Sequence, residues 1–368
     1  MPAFAEIDHA ARVAALDGRL ASGELGCDAL LISDLTDIRW LTGFTGSNGL
    51  VVMRPGSLTF GTDTRYGERA TAETAGSGAI VIAIQDRTQL REAMLGTLVG
   101  AAAVGVDPST TTHAAWERLA GSIPLTPIAS PVAIARRRKD AAEIERIEAA
   151  ARSTDAALAD VEPMLLATTD TPVTEADVRD ELEYRMRRHG ADDRSYETIV
   201  ASGPEHAARP HHEVGRRTIV EGDTVVIDVG ALVDGYHSDM TRSYVIGAAT
   251  DEQHEVYDLV QRAQTAGLVA LHAGVAAAAV DAAARDVFVE AGYGDWYLHG
   301  TGHGVGLEIH ESPFHAATSD ETIEEGNVVT IEPGLYRSGF GGIRIEDLAV
   351  VTADGHRVLT NHPKRPLA

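Results

Sequence analysis

Ile227-Asp228-Val229-Gly230-Ala231-Leu232-Val233-Asp234-Gly235-Tyr236-His237-Ser238-Asp239 decides how the second half of this chain is built. Two strand patterns flank Asp234-Gly235, a dipeptide suited to the positive φ angles of a two-residue hairpin turn. Positions paired across such a hairpin have numbers with an odd sum. Asp228 and Asp239 satisfy that condition, so their side chains lie on one face, directly opposite or one diagonal apart. Two carboxylates within roughly 8 Å on one face repel unless a cation sits between them. Asp228 also interrupts the apolar run Val225-Val226-Ile227, where a strand is mostly buried. A buried, unpaired carboxylate is costly, and a metal ion removes the cost. Alone, the pair reads equally as two surface acids on a solvated hairpin.

Further along stands His299-Gly300-Thr301-Gly302-His303-Gly304-Val305-Gly306-Leu307-Glu308-Ile309-His310-Glu311. Three histidines share this segment with four glycines. Glycine lets the backbone kink or approach a ligand closely, which a structural core histidine does not require. His189, His254 and His272, isolated by contrast, read as structural. Thr330-Ile331-Glu332-Pro333-Gly334 and Gly342-Ile343-Arg344-Ile345-Glu346-Asp347 each set a glutamate at the end or middle of an apolar strand. The glycines from Gly339 to Gly342 let these strands pair through an irregular turn. Together the segments supply four carboxylates and one imidazole. That oxygen-rich, sulfur-free set suits two divalent ions, Mn²⁺ foremost with Co²⁺ or Zn²⁺ as alternatives, bridged by carboxylates. Two ions about 3–4 Å apart can hold a hydroxide at neutral pH and stabilise the oxyanion it creates.

The remaining pattern divides the chain near Pro131–Val132. Before that point a helix is expected over Ala10–Leu20 and a short apolar strand over Ala29–Ile32. A glycine-punctuated turn follows over Trp40–Gly49, then a strand over Leu50–Met53 and a buried strand over Ala79–Ile84. Strands alternating with helices indicate an α/β domain, residues 1–133. A long amphipathic helix with Ile144, Ile147 and Ala151 on one face opens the second domain, 134–368. Thr174 with Asp177 forms a capping box for a helix carrying Val178, Leu182 and Met186 and closed by Gly190. A second helix starts at Thr250 with Gln253 as its reciprocal cap, and a third ends at Gly292. Strands are expected over Thr198–Ala201, Thr224–Val229, Tyr236–Ile246, Asn327–Ile331 and Ile343–Val351. Helices interleaved with hairpins make this second domain α+β.

A net charge of -24 and 44% hydrophobic residues describe an acidic protein with enough apolar mass for real cores. Such a surface repels nucleic acid and anionic membranes. Lys139 and Lys364 are the only lysines. That balance fits life in high salt, and equally a GC-rich genome that favours arginine. The single cysteine, Cys27, excludes an internal disulfide and a cysteine-based zinc site. The start, Met1 to Leu16, has no basic region ahead of an apolar core, and Ala266–Ala284 is interrupted by His272, Gly274 and Asp281. A cytoplasmic protein without a membrane span is the expectation.

These segments resemble the creatinase/prolidase/methionine aminopeptidase family of pita-bread metallopeptidases, the M24 family, in its Xaa-Pro dipeptidase and aminopeptidase P branch. The resemblance extends over nearly the whole chain. Leu41–Gly49 and Thr62-Asp63-Thr64-Arg65-Tyr66 are similar to its creatinase-type N-terminal domain. Gly203–His211, the aspartate hairpin, the histidine segment and both glutamate motifs follow in family order. The resemblance implies a pita-bread catalytic domain whose metal ligands are Asp228, Asp239, His303, Glu332 and Glu346, with Asp239 and Glu346 bridging two ions. It implies that Glu332 also relays a proton, that His310 donates to the oxyanion, and that His211 binds near the scissile amide or the proline end. His299, Tyr336 and Arg344 match supporting positions. Proline-containing dipeptides or short peptides are the implied substrates, and a homodimer the implied assembly.

Two departures stand out. Ser243 follows Arg242 where the family usually has threonine. Phe314 stands where many prolidases carry an arginine for the substrate's carboxylate, which argues against strict dipeptide specificity. The other readings are a metal-free amidinohydrolase of the creatinase kind and a non-catalytic binding module; the complete carboxylate set speaks against both. Methionine aminopeptidases usually lack the N-terminal domain.

Overall fold

A computed structural model describes residues 4–166 and 172–364. The described residues divide into two compact units, Glu6–Arg136 and those from Arg137 onward, the second also taking in Phe4 and Ala5.

In the first unit, helix α1 (His9–Ala21) is followed by strand β1 (Ala29–Ile32) and helix α2 (Leu35–Thr42). Strands β2 (Leu50–Arg54), β3 (Ser57–Thr62), β4 (Ile80–Ala83), β5 (Val104–Val106) and β6 (Leu125–Pro127) complete a six-stranded sheet of order β4-β3-β2-β1-β5-β6. Two expectations need correction. Trp40 to Thr42 belong to α2, whose start is capped by the Asp34 carboxylate accepting from Asp37 N–H. Ile38 and Leu41 are wholly buried, so packing carries the helix up to Gly43, which ends it at φ 84°. The strand within Ala79–Ile84 is not buried. It is the sheet's edge, and Ile80 is 62% exposed.

The second unit opens with α3 (Ala141–Leu166) and α4 (Glu175–Arg188), the latter with the expected capping box between Thr174 and Asp177. Strands β7 (Asp193–Arg194), β8 (Ile199–Ser202), β9 (Thr224–Val229), β10 (Ala231–Val233), β11 (Tyr236–His237) and β12 (Met240–Val245) follow. Helices α5 (Asp251–Ala270), capped reciprocally by Thr250 and Gln253, and α6 (Ala277–Glu290) pack together and on the core around Ile331 and Ile343. The last strands are β13 (Gly302–Gly304), β14 (Glu311–His315), β15 (Val328–Ile331), β16 (Gly334–Arg337), β17 (Gly341–Arg344), β18 (Asp347–Thr352) and β19 (Gly355–Val358). They form the sheets β11-β10-β7, β12-β9-β8, β14-β13-β15-β18-β19 and β16-β17. No helix among the described residues is long and apolar enough to cross a membrane.

The aspartate hairpin turns at Asp234 (φ 45°) and Gly235 (φ 74°), as the dipeptide implied. Val233 pairs with Tyr236 and, beyond a break, Val229 pairs with Met240 and Asp228 with Thr241. The register is thus unshifted. Asp239 lies one diagonal from Asp228 on the same face.

The strands expected over Tyr236–Ile246 and Ile343–Val351 are each interrupted. The gaps fall at Ser238-Asp239 and Ile345-Glu346. Gly230, opposite the first gap, admits the crossing backbone: a Cβ there would sit well inside contact distance of the Ser238 carbonyl oxygen. Behind the second gap, buried Arg242 donates to the carbonyls of Thr241 (2.9 Å) and Glu346 (2.5 Å) and to Asp347 Oδ1 (2.9 Å). Gly230→Ala is therefore expected to lower stability by about 1–3 kcal/mol through overpacking. The check is the urea unfolding midpoint, and an unchanged midpoint would mean that the Ser238 backbone yields freely.

Candidate metal centre

Strand ends and gaps deliver most of the site. Asp228 lies within β9, Asp239 just before β12, His303 in the middle of β13, Glu332 just after β15, and Glu346 just before β18. Glu332 N–H donates to the Thr301 carbonyl (2.8 Å) and Glu346 N–H to the Thr241 carbonyl (3.1 Å), so both glutamates leave their strands on fixed backbones. Glu346 Oε2 accepts from the Thr241 hydroxyl (2.7 Å). Ligand atoms of Asp239, His303 and Glu346 all lie within 4.8 Å of one another. Those three, with Asp228 and Glu332, line a cavity of about 620 Å³.

The electrostatics of this cluster do not close with protein charges alone. The Tyr196 hydroxyl is 2.5 Å from both Asp228 Oδ1 and Asp239 Oδ1, and its one proton serves only one of them at a time. Arg344 Nη2 donates to Asp228 Oδ2 (2.7 Å), which balances a single carboxylate. Burial, then the Asp228 and Glu332 carboxylates, push Asp239 well above the usual carboxylate range. Burial, then Asp239 and Glu332, do the same to Glu346. Burial with the Asp228 charge raises Glu332 to about 8 against the pull of Arg344.

His303 adds the diagnostic contact. Its Nδ1 lies 3.0 Å from the Gly304 carbonyl, which can only accept, so the ring proton is on Nδ1. Burial holds the ring neutral, its pKa lowered to about 3. The Nε2 lone pair therefore faces Asp239 Oδ2 at 3.6 Å and Glu332 Oε1 at 3.5 Å, and the ring contributes no proton to either contact. Such spacings suit atoms that share a cation, and the carbonyl bond behind the ring is the support that metal-binding histidines commonly have. The donor set fits divalent metal.

The supporting residues form a chain of their own. Arg344 Nη1 donates to the Tyr336 hydroxyl (2.7 Å), which donates to His299 Nε2 (3.0 Å), while His299 Nδ1 donates to the Gly300 carbonyl (2.7 Å). Burial and nearby Arg344 lower His299 to about 4, and burial raises Tyr336 to about 12. Arg344 also reaches the Thr241 hydroxyl (3.0 Å) and the Pro210 carbonyl (3.0 Å). Asp281, buried in α6, accepts from the N–H (3.0 Å) and hydroxyl (2.9 Å) of Thr301 and anchors the histidine segment.

His310 and His211 are exposed and line the same cavity as the carboxylates. The His310 ring packs edge-on to His303 at 4.4 Å. Of the neighbours His211 and His212, only His211 reaches the cavity lining; His212 stacks on His206 at 3.9 Å. Phe314 on β14 is 46% exposed and also lines the cavity. Sequence reading missed Tyr196, Thr241 and Asp281. Nothing in Arg194-Ser195-Tyr196-Glu197 signals a shared proton donor, whereas Thr241, paired with Asp228, was reachable from the hairpin register.

Residues 145–353 match the family model for metallopeptidase family M24, and residues 12–137 match that for the creatinase/prolidase N-terminal domain. An uncharacterized peptidase of Bacillus subtilis, YqhT, is 36% identical over 93% of this chain and 96% of its own length. A solved structure of an Xaa-Pro dipeptidase from Bacillus anthracis superposes with a TM-score of 0.89 at 35% identity, covering 96% of this chain and all of that one. The X-Pro aminopeptidase from Thermotoga maritima superposes at 0.84 with 31% identity, covering 94% and 99%. With its carboxylate cluster, its fold and these likenesses in agreement, the chain belongs to metallopeptidase family M24 and carries a creatinase-type N-terminal domain ahead of its pita-bread domain.

Proposed function

We propose that this peptidase is a dinuclear metal-dependent exopeptidase that hydrolyses the bond between an N-terminal residue and a following proline, in dipeptides and short peptides alike. The observation that carries the reading is the under-neutralised carboxylate cluster into which neutral His303 turns its Nε2 lone pair. The names Xaa-Pro dipeptidase and X-Pro aminopeptidase borne by structural neighbours support the proline-directed class. Asp239 and Glu346 are the proposed bridging ligands, Asp228 the ligand of one ion, and His303 with Glu332 those of the other. The oxygen-rich set favours Mn²⁺, with Co²⁺ or Zn²⁺ also accommodated. We further propose the domain limits 1–133 and 134–368, a homodimer, and a cytoplasmic location.

Two ions held by these residues would lower the pKa of water and polarise the scissile carbonyl. Glu332, which retains a proton to about pH 8 when no cation is beside it, is placed to accept a proton from the attacking water and pass it to the leaving nitrogen. His310, exposed beside His303, donates to the developing oxyanion. His211 meets the scissile amide or the proline end. The Arg344–Tyr336–His299 chain orients Asp228 and keeps the guanidinium away from other duties. A creatinase-type amidinohydrolase or a binding module has no need of the carboxylate set.

Chelation is expected to abolish hydrolysis and added Mn²⁺ to restore it. Asp239→Asn and Glu346→Gln should lose more metal than Asp228→Asn, because each would strand both ions. Elemental analysis of active enzyme showing no metal would overturn the reading.

His310→Ala is expected to lower kcat by roughly 10²–10³ with metal content intact. Loss of metal in that variant would exchange its role with that of His303, and an unchanged kcat would remove it from the mechanism.

Among the described residues lining the cavity the one guanidinium or ammonium is Arg344, already engaged by Asp228, Tyr336, Thr241 and Pro210. No side-chain cation of this kind is left to clamp a dipeptide's carboxylate. Cleavage of both Xaa-Pro and Xaa-Pro-Yaa is the expected outcome, and Phe314→Arg should shift kcat/KM towards dipeptides by about 1–3 kcal/mol. Refusal of every tripeptide by the unmodified enzyme would show that a carboxylate clamp exists elsewhere.

A further inference from the structure

We propose that Glu175, His206 and His212 form a second divalent-metal site, of the zinc class, which ties the loop carrying His211 to the start of α4. The three residues come from separate places: Glu175 is the first residue of α4, His206 ends the helical turn Gly203–His206, and His212 lies in the irregular segment that follows. Their ligand atoms lie within 4.8 Å of one another. Glu175 is completely buried, while the His206 and His212 side chains keep 29% and 16% exposure, so an ion has access from solvent.

Glu175 Oε1 is occupied by Ser202 N–H (2.8 Å) and the Ser202 hydroxyl (2.7 Å). Oε2 has only a long contact from Gly215 N–H (3.4 Å) besides the histidines, and is the oxygen free to bind. His206 Nδ1 is 3.0 Å from both carboxylate oxygens. His212 Nε2 is 3.8 Å from Oε2, too far for a hydrogen bond, and is a buried ring nitrogen with no hydrogen-bond partner among the described residues. An orphaned buried nitrogen is costly, and a shared ion would satisfy it. In the carboxylate cluster the corresponding nitrogen-to-oxygen spacings are 3.5 and 3.6 Å. Arg217, whose charge is felt by this carboxylate, has its own hydrogen-bonded partner in both oxygens of Asp223 (2.5 and 2.9 Å).

Two imidazoles and one carboxylate are a familiar zinc donor set, completed by water. The rings now stack with 29° between their planes. Binding requires them to swing apart about Cβ–Cγ so that both lone pairs meet the ion. That motion takes place one residue from His211, so occupancy of this site would set where His211 stands in the cavity.

The test counts zinc and does not depend on peptidase activity, so it stands or falls apart from the peptidase reading. Full-length protein is dialysed against buffered Zn²⁺ and its zinc measured by elemental analysis, for the unmodified chain and for His206→Ala, His212→Ala and His211→Ala. His206→Ala and His212→Ala are each expected to hold roughly one zinc fewer per chain than the unmodified protein, while His211→Ala holds the same number. Zinc is also expected to raise the melting temperature of a chain with Asp239→Asn and Glu346→Gln, and to lose that effect when His212→Ala is added. Equal zinc in all four proteins overturns the proposal and leaves an ordinary histidine–glutamate hydrogen bond. Equal loss in His211→Ala overturns it too, because the loop's conformation rather than its ligands would then govern the count.

Discussion

Carboxylates crowded together at partly and fully buried positions cannot all be ionised unless positive charge is brought to them, and the catalytic unit is organised around that constraint. Asp228, Asp239, Glu332 and Glu346 share one cavity wall and receive one guanidinium, that of Arg344. His303, which could have added charge by protonating, is held neutral by burial and has its lone pair turned inward by the Gly304 carbonyl. With Arg344 taken up by Asp228, the acids Asp239, Glu332 and Glu346 are thereby left in need of a cation. Metal affinity here is the counterpart of electrostatic stress built into the fold.

Holding that stress in place takes a rigid frame. Three of the four acids sit where a strand has just ended or is about to begin, on backbones pinned by neighbouring strands. Below them Arg242 joins the Thr241 and Glu346 carbonyls to Asp347, which also accepts from Gln264 (3.0 Å) and Thr360 (3.0 Å). This buried, fully partnered network is the kind that fixes one arrangement, since leaving any member unpaired would be costly. Arg344 does the same on the other side through Tyr336 and His299.

What the sequence disclosed follows from how far each signal reaches along the chain. The Asp234-Gly235 turn and the period of two set the face shared by Asp228 and Asp239, and the caps at Thr174 and Thr250 are local hydrogen bonds. The gaps at Ser238-Asp239 and Ile345-Glu346 were hidden because the runs around them hold strand formers such as Tyr236, Thr241, Ile343 and Val350, with no proline to interrupt them. The interruption comes from acids turning towards partners far off in sequence. Ile80 was misread for a related reason: an apolar strand looks alike at the centre of a sheet and at its edge. Around Trp40 the glycines of the following turn masked a helix stabilised by burial of Ile38 and Leu41. Tyr196 was invisible because its role exists only once β9 and the start of β12 have come together beside it.

Tyr196 also bears on how two of these acids keep their spacing. Its hydroxyl lies within hydrogen-bond distance of both Asp228 and Asp239, so a phenol fixed in the fold gauges the gap between them from the protein side. Small zinc domains, by contrast, take their order from the ion itself. Removing that hydroxyl would leave all four acids in the chain and take away the protein's own measure of the distance between two of them.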